Sequence, residues 1–214
     1  MMRTFLLSPA NCGGKRGRML RRPEATFDLA RRLAEPSGAG APIGEVFAFI
    51  SGLYFRGKLA YARAFAPTSA FVITPSRGLL PIDHPITREL LDEFACCDID
   101  AENAVYRRPL ERDVRLLASA TLRAPSPAAE SKSDDVVLLG SIASDKYVDV
   151  LLSHFGDRLY FPETFVGRGD MSRGGLMLRA ASAGEELTYT RIAGATRHGP
   201  RPPRLEKLPA PLTR

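Results

Sequence analysis

The sequence predicts a single α/β domain with a mostly parallel central sheet, flanking helices and antiparallel strands toward the C-terminus. Short apolar runs at residues 3–8 (RTFLLS), 70–74 (AFVIT) and 136–139 (VVLL) each stop at Gly, Pro, Ser or Asn, as buried strands feeding loops do. Between them, apolar residues recur at helical spacing, so strand, loop and helix alternate along the chain. A length of 214 residues, 44% hydrophobic and 25% charged, suffices for one sizeable core. The domain is expected over residues 1–194, with a mobile loop near 123–135 and a Pro/Arg-rich tail at 195–214.

Each element has a local reason. The first strand ends at Pro9, Asn11, Gly13 and Gly14, and the loop that follows turns basic, with Lys15, Arg16, Arg18, Arg21 and Arg22 and no acid among them. A short helix is expected over 23–33, then a flexible connector, AEPSGAGAP, at 34–42. Val46, Phe47, Ile50, Leu53, Tyr54, Tyr61 and Phe65 keep close to helical spacing, with a break at Ser51 and Gly52, so two helical pieces are expected over 43–65. The strand at 70–74 runs into PSRGLLP, where Gly78 and the prolines force a turn. Helices are expected over 87–94, over 106–122 with Leu110, Val114 and Leu117 on one face, and over 145–154. Residues 158–161, 176–180 and 186–190 read as further strands.

Four stretches set Gly beside Lys or Arg where apolar runs end: 11–18 (NCGGKRGR), 51–58 (SGLYFRGK), 74–78 (TPSRG) and 167–175 (GRGDMSRGG). Glycine lets backbone N–H groups approach an anion and the neighbouring cation adds charge, so the pattern points to phosphate. Three of the four follow expected strands, which puts them on the strands' carboxyl edge, where α/β sheets hold ligands. Lys15, Arg16, Arg18, Arg56, Lys58, Ser76, Arg77, Arg168 and Arg173 are the expected contacts. Tyr54, Phe55 and Tyr61, interleaved with cations, have the chemistry to stack on unpaired bases. Their bland alternative is an amphipathic helix that buries its rings and leaves its cations in water. GSIASDKYV reads as a strand-to-helix anion site with Ser141 in the turn, Ser144 or Asp145 as cap, and Lys146 and Tyr147 in the first helical turn. It lacks the spacing of a Walker loop or a dinucleotide fingerprint, and an ordinary capped turn explains it equally well.

Lys plus Arg outnumber Asp plus Glu by 30 to 24, a net charge of +6, which suits a nucleic-acid ligand. The three cysteines, Cys12, Cys96 and Cys97, show no C-x-x-C spacing, and the adjacent pair cannot close an ordinary disulfide, so a reduced, cytoplasmic protein is expected. No apolar run reaches the roughly 18 residues of a membrane span, and the N-terminal apolar core is too short for a signal peptide. His84, His154 and His198 are far apart with no Cys or carboxylate at ligand spacing, so neither a metal nor a cofactor is expected. Cys12, on a basic loop, is a candidate activated thiol. In GRGDMSRGG, Arg168 and Arg173 flank Asp170, an arrangement that would hold an ionised carboxylate over a bound anion, with a mobile surface loop as the alternative.

The pair of segments FISGLYFRGKLAYARAFA and FVITPSRGLLP, within residues 45–83, resembles the signature of a poorly characterised bacterial and phage domain family. Its members occur near enzymes of modified guanine (the 7-deazaguanine type) in tRNA and DNA, and the family is distantly similar to the peroxide-stress DNA-binding proteins. LLGSIASDKYVDVLL and FVGRGDMSRGGLMLR resemble small bacterial proteins related to anti-phage DNA glycosylases that remove glucosylated hydroxymethylcytosine. The resemblance implies action on a modified base in nucleic acid and carries over no catalytic residue.

The expected function is therefore a DNA glycosylase that excises a modified base through a flipped-base pocket, with DNA as partner and no membrane or obligate protein partner. That chemistry needs stacking and polar contacts to the base, cations on the phosphates and a carboxylate or polarised water facing the anomeric carbon. Asp170 or Glu163 would be the carboxylate and Asn11 the orienting amide, with Lys146 the amine of a Schiff-base route. A non-catalytic DNA- or RNA-binding protein, and an enzyme acting on a small phosphorylated nucleotide, are the alternatives.

Overall fold

The first apolar run becomes the centre of the sheet. In the computed structural model, which describes residues 3–35, 38–122, 135–143 and 145–205, all four residues of β1 (Thr4–Leu7) are buried. The chain then forms α1 (Lys15–Arg21), α2 (Asp28–Ala34), a two-residue β2 (Ala41–Pro42), α3 (Ile43–Ser51) and α4 (Leu53–Phe65). A hairpin of β3 (Ala70–Ile73) and β4 (Leu79–Pro81) follows, then β5 (Pro85–Ile86), α5 (Arg88–Cys96) and α6 (Ala104–Leu122). The last part comprises β6 (Val136–Leu139), α7 (Asp145–Phe155), β7 (Leu159–Pro162), α8 (Asp170–Ala183) and β8 (Tyr189–Arg191).

The main sheet has six strands in the order β4-β3-β1-β6-β7-β8, and β2 pairs with β5 in a separate two-stranded ribbon. β3, β1, β6 and β7 are mutually parallel, whereas β4 and β8 close the two edges in antiparallel fashion. The antiparallel strand expected at the C-terminal edge thus has a counterpart at the other edge, in the 79–81 turn segment. From β1 the chain crosses to β3 on one side, and from β6 to β7 on the other. Right-handed crossovers in opposite directions put their helices on opposite faces. α4 accordingly packs along α8, and α6 along α7.

Three expectations are corrected. Residues 15–21 are helical, not loop, because Leu20 and the tightly packed Gly17 give that segment a buried face. The helix expected over 23–33 begins only at Asp28. Residues 170–183, read as a Gly-rich loop and a strand, form one helix. Gly174 there lies against α4, where a Cβ would come within 2.5 Å of the Leu53 carbonyl, and a Cβ on Gly57 would come equally close to the Gly174 carbonyl. These glycines permit a close helix crossing, so low helix propensity gives way to packing. Gly52, at φ +65°, makes the break between α3 and α4, where the sequence places it. Of the expected mobile loop, residues 123–134 lie outside the described residues, as does Ser144. Residues 195–205 carry no helix or strand.

Candidate functional site

The carboxyl ends of β1, β3, β6 and β7 share one edge of the sheet, so the loops after them line one rim. The connections diverge between β1 and β6, the position at which open α/β sheets form a ligand crevice. A cleft of about 1150 Å³ opens there, lined by residues 8–13 after β1, by segments between Pro75 and Ala104, and by Lys146 and Tyr147 at the start of α7.

At its floor Ser8 meets Lys58. The Lys58 ammonium, 1% exposed, donates to the Ser8 hydroxyl at 2.6 Å and to the Ser8 carbonyl at 3.1 Å. It lies 3.9 Å from the centre of the Tyr54 ring and 5.2 Å from that of Phe55. No ion pair of Lys58 occurs among the described residues. Burial pushes its pKa from 10.5 down to about 7; Asp170 opposes that shift, and Arg173 adds to it. A buried amine that titrates near neutrality is expensive and unusual, and such groups concentrate at functional sites.

Local sequence explains the placement. Tyr54, Lys58, Tyr61, Ala62 and Phe65 fall on one stripe of α4, and that stripe covers β1, with the Tyr61 and Phe5 rings 5.5 Å apart. Gly140, at the end of β6, makes room for Ser8, since a Cβ there would approach the Ser8 Oγ to 3.0 Å. The Ser8 hydroxyl also lies beside the Tyr147 phenol, which donates to the Ser141 carbonyl at 2.8 Å. Burial raises the pKa of Tyr147, as it does those of Tyr54 and Tyr106. Among the described residues the Tyr106 hydroxyl is buried without a hydrogen-bond partner, and the Tyr54 hydroxyl has only the Arg173 guanidinium near it.

The structure separates residues that the sequence grouped. Lys58 and the rings of Tyr54, Phe55 and Tyr61 are buried, so the stacking platform is internal, as in the amphipathic-helix alternative, and of the two expected phosphate contacts on this helix only Arg56 stays exposed. Arg77 forms a fork onto Glu93 at 2.8 and 2.5 Å, and Ser76 donates to the same carboxylate at 2.5 Å. Arg168 donates to the carbonyls of Thr164 and Pro203 and to Ser172, tying the C-terminal segment to the start of α8. Arg173 is largely buried, donates to the Phe165 carbonyl and lies 3.5 Å from Asp170. Asp170 and Glu163 are exposed and line no part of the cleft, whereas Asn11 and Lys146 line it. Lys15, Arg16, Arg18 and Arg56 are exposed, with Arg18 donating to the Gly13 carbonyl and Arg16 to that of Phe49.

Cys12, the candidate activated thiol, is not activated. It is buried, its thiol is pushed up to about 12, and the nearby Arg21 offsets burial only in part. No group of three or more His, Cys, Asp and Glu arranged to hold a metal occurs among the described residues. Nor is any helix among them long and apolar enough to cross a membrane. Sequence reasoning missed Ser8 and Gly140 entirely, since a lone Ser or Gly at a strand end has no pattern of its own. Lys58 was visible as a cation, and only its position on the apolar stripe betrays its burial.

Comparison with protein-family models, with curated proteins and with solved structures finds no match.

Proposed function

We propose that this protein is a DNA glycosylase that excises a modified base, with the Lys58–Ser8 pair as its reactive centre. The observation that carries the reading is a buried amine, pushed to a pKa of about 7, hydrogen-bonded to a hydroxyl at the floor of a cleft. Neutral Lys58 can take a proton through Ser8 from a water held in the cleft. The water oxygen bonds to the anomeric carbon, the carbon–nitrogen bond breaks, and its electron pair leaves with the base, which takes up a proton. Tyr147, kept protonated by burial and donating to the Ser141 carbonyl, holds its phenol oxygen beside Ser8.

The acidic residues of the cleft support a base rather than a phosphate inside it. Asp98, Asp100 and Glu102 line it and would repel a phosphate, while base edges and sugar hydroxyls find acceptors there. Lys15 and Arg18, beside the loop that enters α1, are exposed toward solvent and are suited to the backbone. This weighs against a small phosphorylated nucleotide as substrate. A non-catalytic binder has no use for the free-energy cost of the buried amine.

Incubation with phage DNA carrying glucosylated hydroxymethylcytosine or other modified bases, and with unmodified DNA, tests the reading through abasic sites and released base. Release of a modified base by the wild type, and release about a thousandfold slower by Lys58→Met, is expected. No abasic site on any substrate would overturn it. Borohydride trapping of protein on DNA, lost in Lys58→Met, would move the nucleophile from water to the Lys58 amine.

A further inference from the structure

A second cleft of about 590 Å³ lies on the other side of α1, between it and the α3–α4 junction. Its floor is apolar, made by Ala48, Phe49 and Leu59 with the half-exposed Met19 at the edge. Phe27, itself 37% exposed, stacks on Phe49 with ring centres 5.4 Å apart at 20°. Arg16 and Arg56 flank the opening, and neither forms an ion pair among the described residues. Glu45, the sole carboxylate among the described residues lining the cleft, is held by Arg32 at 3.0 Å. The Arg16 guanidinium lies on the α3–α4 break, where a Cβ on Gly52 would come within 2.6 Å of it.

The two clefts meet across the start of α1. Gly13 lines the first and Arg16 the second, so three residues, at most about 11 Å of backbone, separate them. Lys15 lies between them in sequence, exposed, while Arg18 is anchored on the Gly13 carbonyl.

We propose that this second cleft binds the nucleic-acid strand flanking the target, taking one unpaired base on its apolar floor while Arg16 and Arg56 grip the adjoining phosphates. The proposal rests on the reading of the first cleft as a nucleic-acid site. An apolar floor accepts a base face of any sequence, and two uncompensated cations complement the backbone.

The experiment measures binding of the full chain to a single-stranded oligonucleotide by fluorescence anisotropy over a range of salt, for the wild type, Arg16→Ala/Arg56→Ala and Met19→Glu. Thermal unfolding of each variant confirms an intact fold. For the double variant the salt slope is expected to fall by about 1.4, or about 0.7 per lost phosphate contact. Met19→Glu should weaken binding and remove the preference for an ordinary nucleotide over an abasic spacer beside the target. Variants that bind with the wild-type slope and affinity overturn the proposal, as does a wild type that binds no strand. Loss of binding in the variants without base release by the wild type on any substrate would support the second cleft and remove the glycosylase reading. Base release with unchanged strand binding would do the reverse.

Discussion

The segments at 51–58 and 74–78 look alike in sequence, each setting Ser and Gly beside a cation, yet they end in opposite states. In the second, Glu93 on α5 meets both Ser76 and Arg77, and Thr74 donates to the Gly78 carbonyl, so each polar side chain has a partner. In the first, Lys58 is driven into the core, where it donates to Ser8 and lies against two aromatic rings, with Asp170 and Arg173 acting on it only through space. A carboxylate in direct contact makes the Arg77 cation structural, whereas Asp170 acts on Lys58 without pairing it and only partly offsets the burial that favours loss of its proton. Burial alone does not distinguish the two, because Ser76 is buried as well.

The largest expected effect breaks the contrast at its active side. Lys58→Met should lower base release by about a thousandfold while the protein stays folded, and Ser8→Ala by about a hundredfold, both read from single-turnover rates. If either variant keeps wild-type turnover, the pair is structural like its counterpart. Next in size is the crossing that brings α8 against α4. Gly174→Ala forces a methyl onto backbone and should destabilise by roughly 3 kcal/mol in denaturant unfolding, whereas Gly169→Ala, in open space, should cost far less.

A pH series sharpens the same contrast. Lys58 has a folded pKa lowered from 10.5 to about 7. Between those values the unfolded chain binds a proton that the folded chain does not. Wild-type stability relative to Lys58→Met should therefore rise with pH across that window, by about 1.4 kcal/mol per unit, and level off below about 7. Base release should likewise rise through pH 7 as the amine becomes neutral. The smallest effect belongs to the satisfied segment. Glu93→Gln weakens a mostly exposed network, so a loss under about 1 kcal/mol in unfolding free energy is expected, with turnover unchanged.

Much of this was legible in the sequence, for identifiable reasons. β1, β3 and β6 are central strands with little or no exposed surface, so they read as continuous apolar runs, and the break at Gly52 announces itself between two helical stripes. α8 was not legible, because LMLRA is too short an apolar run to distinguish strand from helix and the glycines before it serve packing rather than flexibility. The shared rim followed from parallel strands. Which cation would be used did not, because Lys58, Arg56 and Arg77 differ in surroundings that only the tertiary fold supplies. The acidic wall at 98–102 was likewise invisible beside a basic overall charge.

The most direct measurement is the titration of the Lys58 side-chain amine by NMR in the intact protein, assigned by comparison with Lys58→Arg. A midpoint at about 7 is expected, together with a change in the Tyr147 ring signals as Ser8 responds. A midpoint close to the ordinary 10.5 would contradict the claim that burial beside Ser8 makes this amine the reactive group.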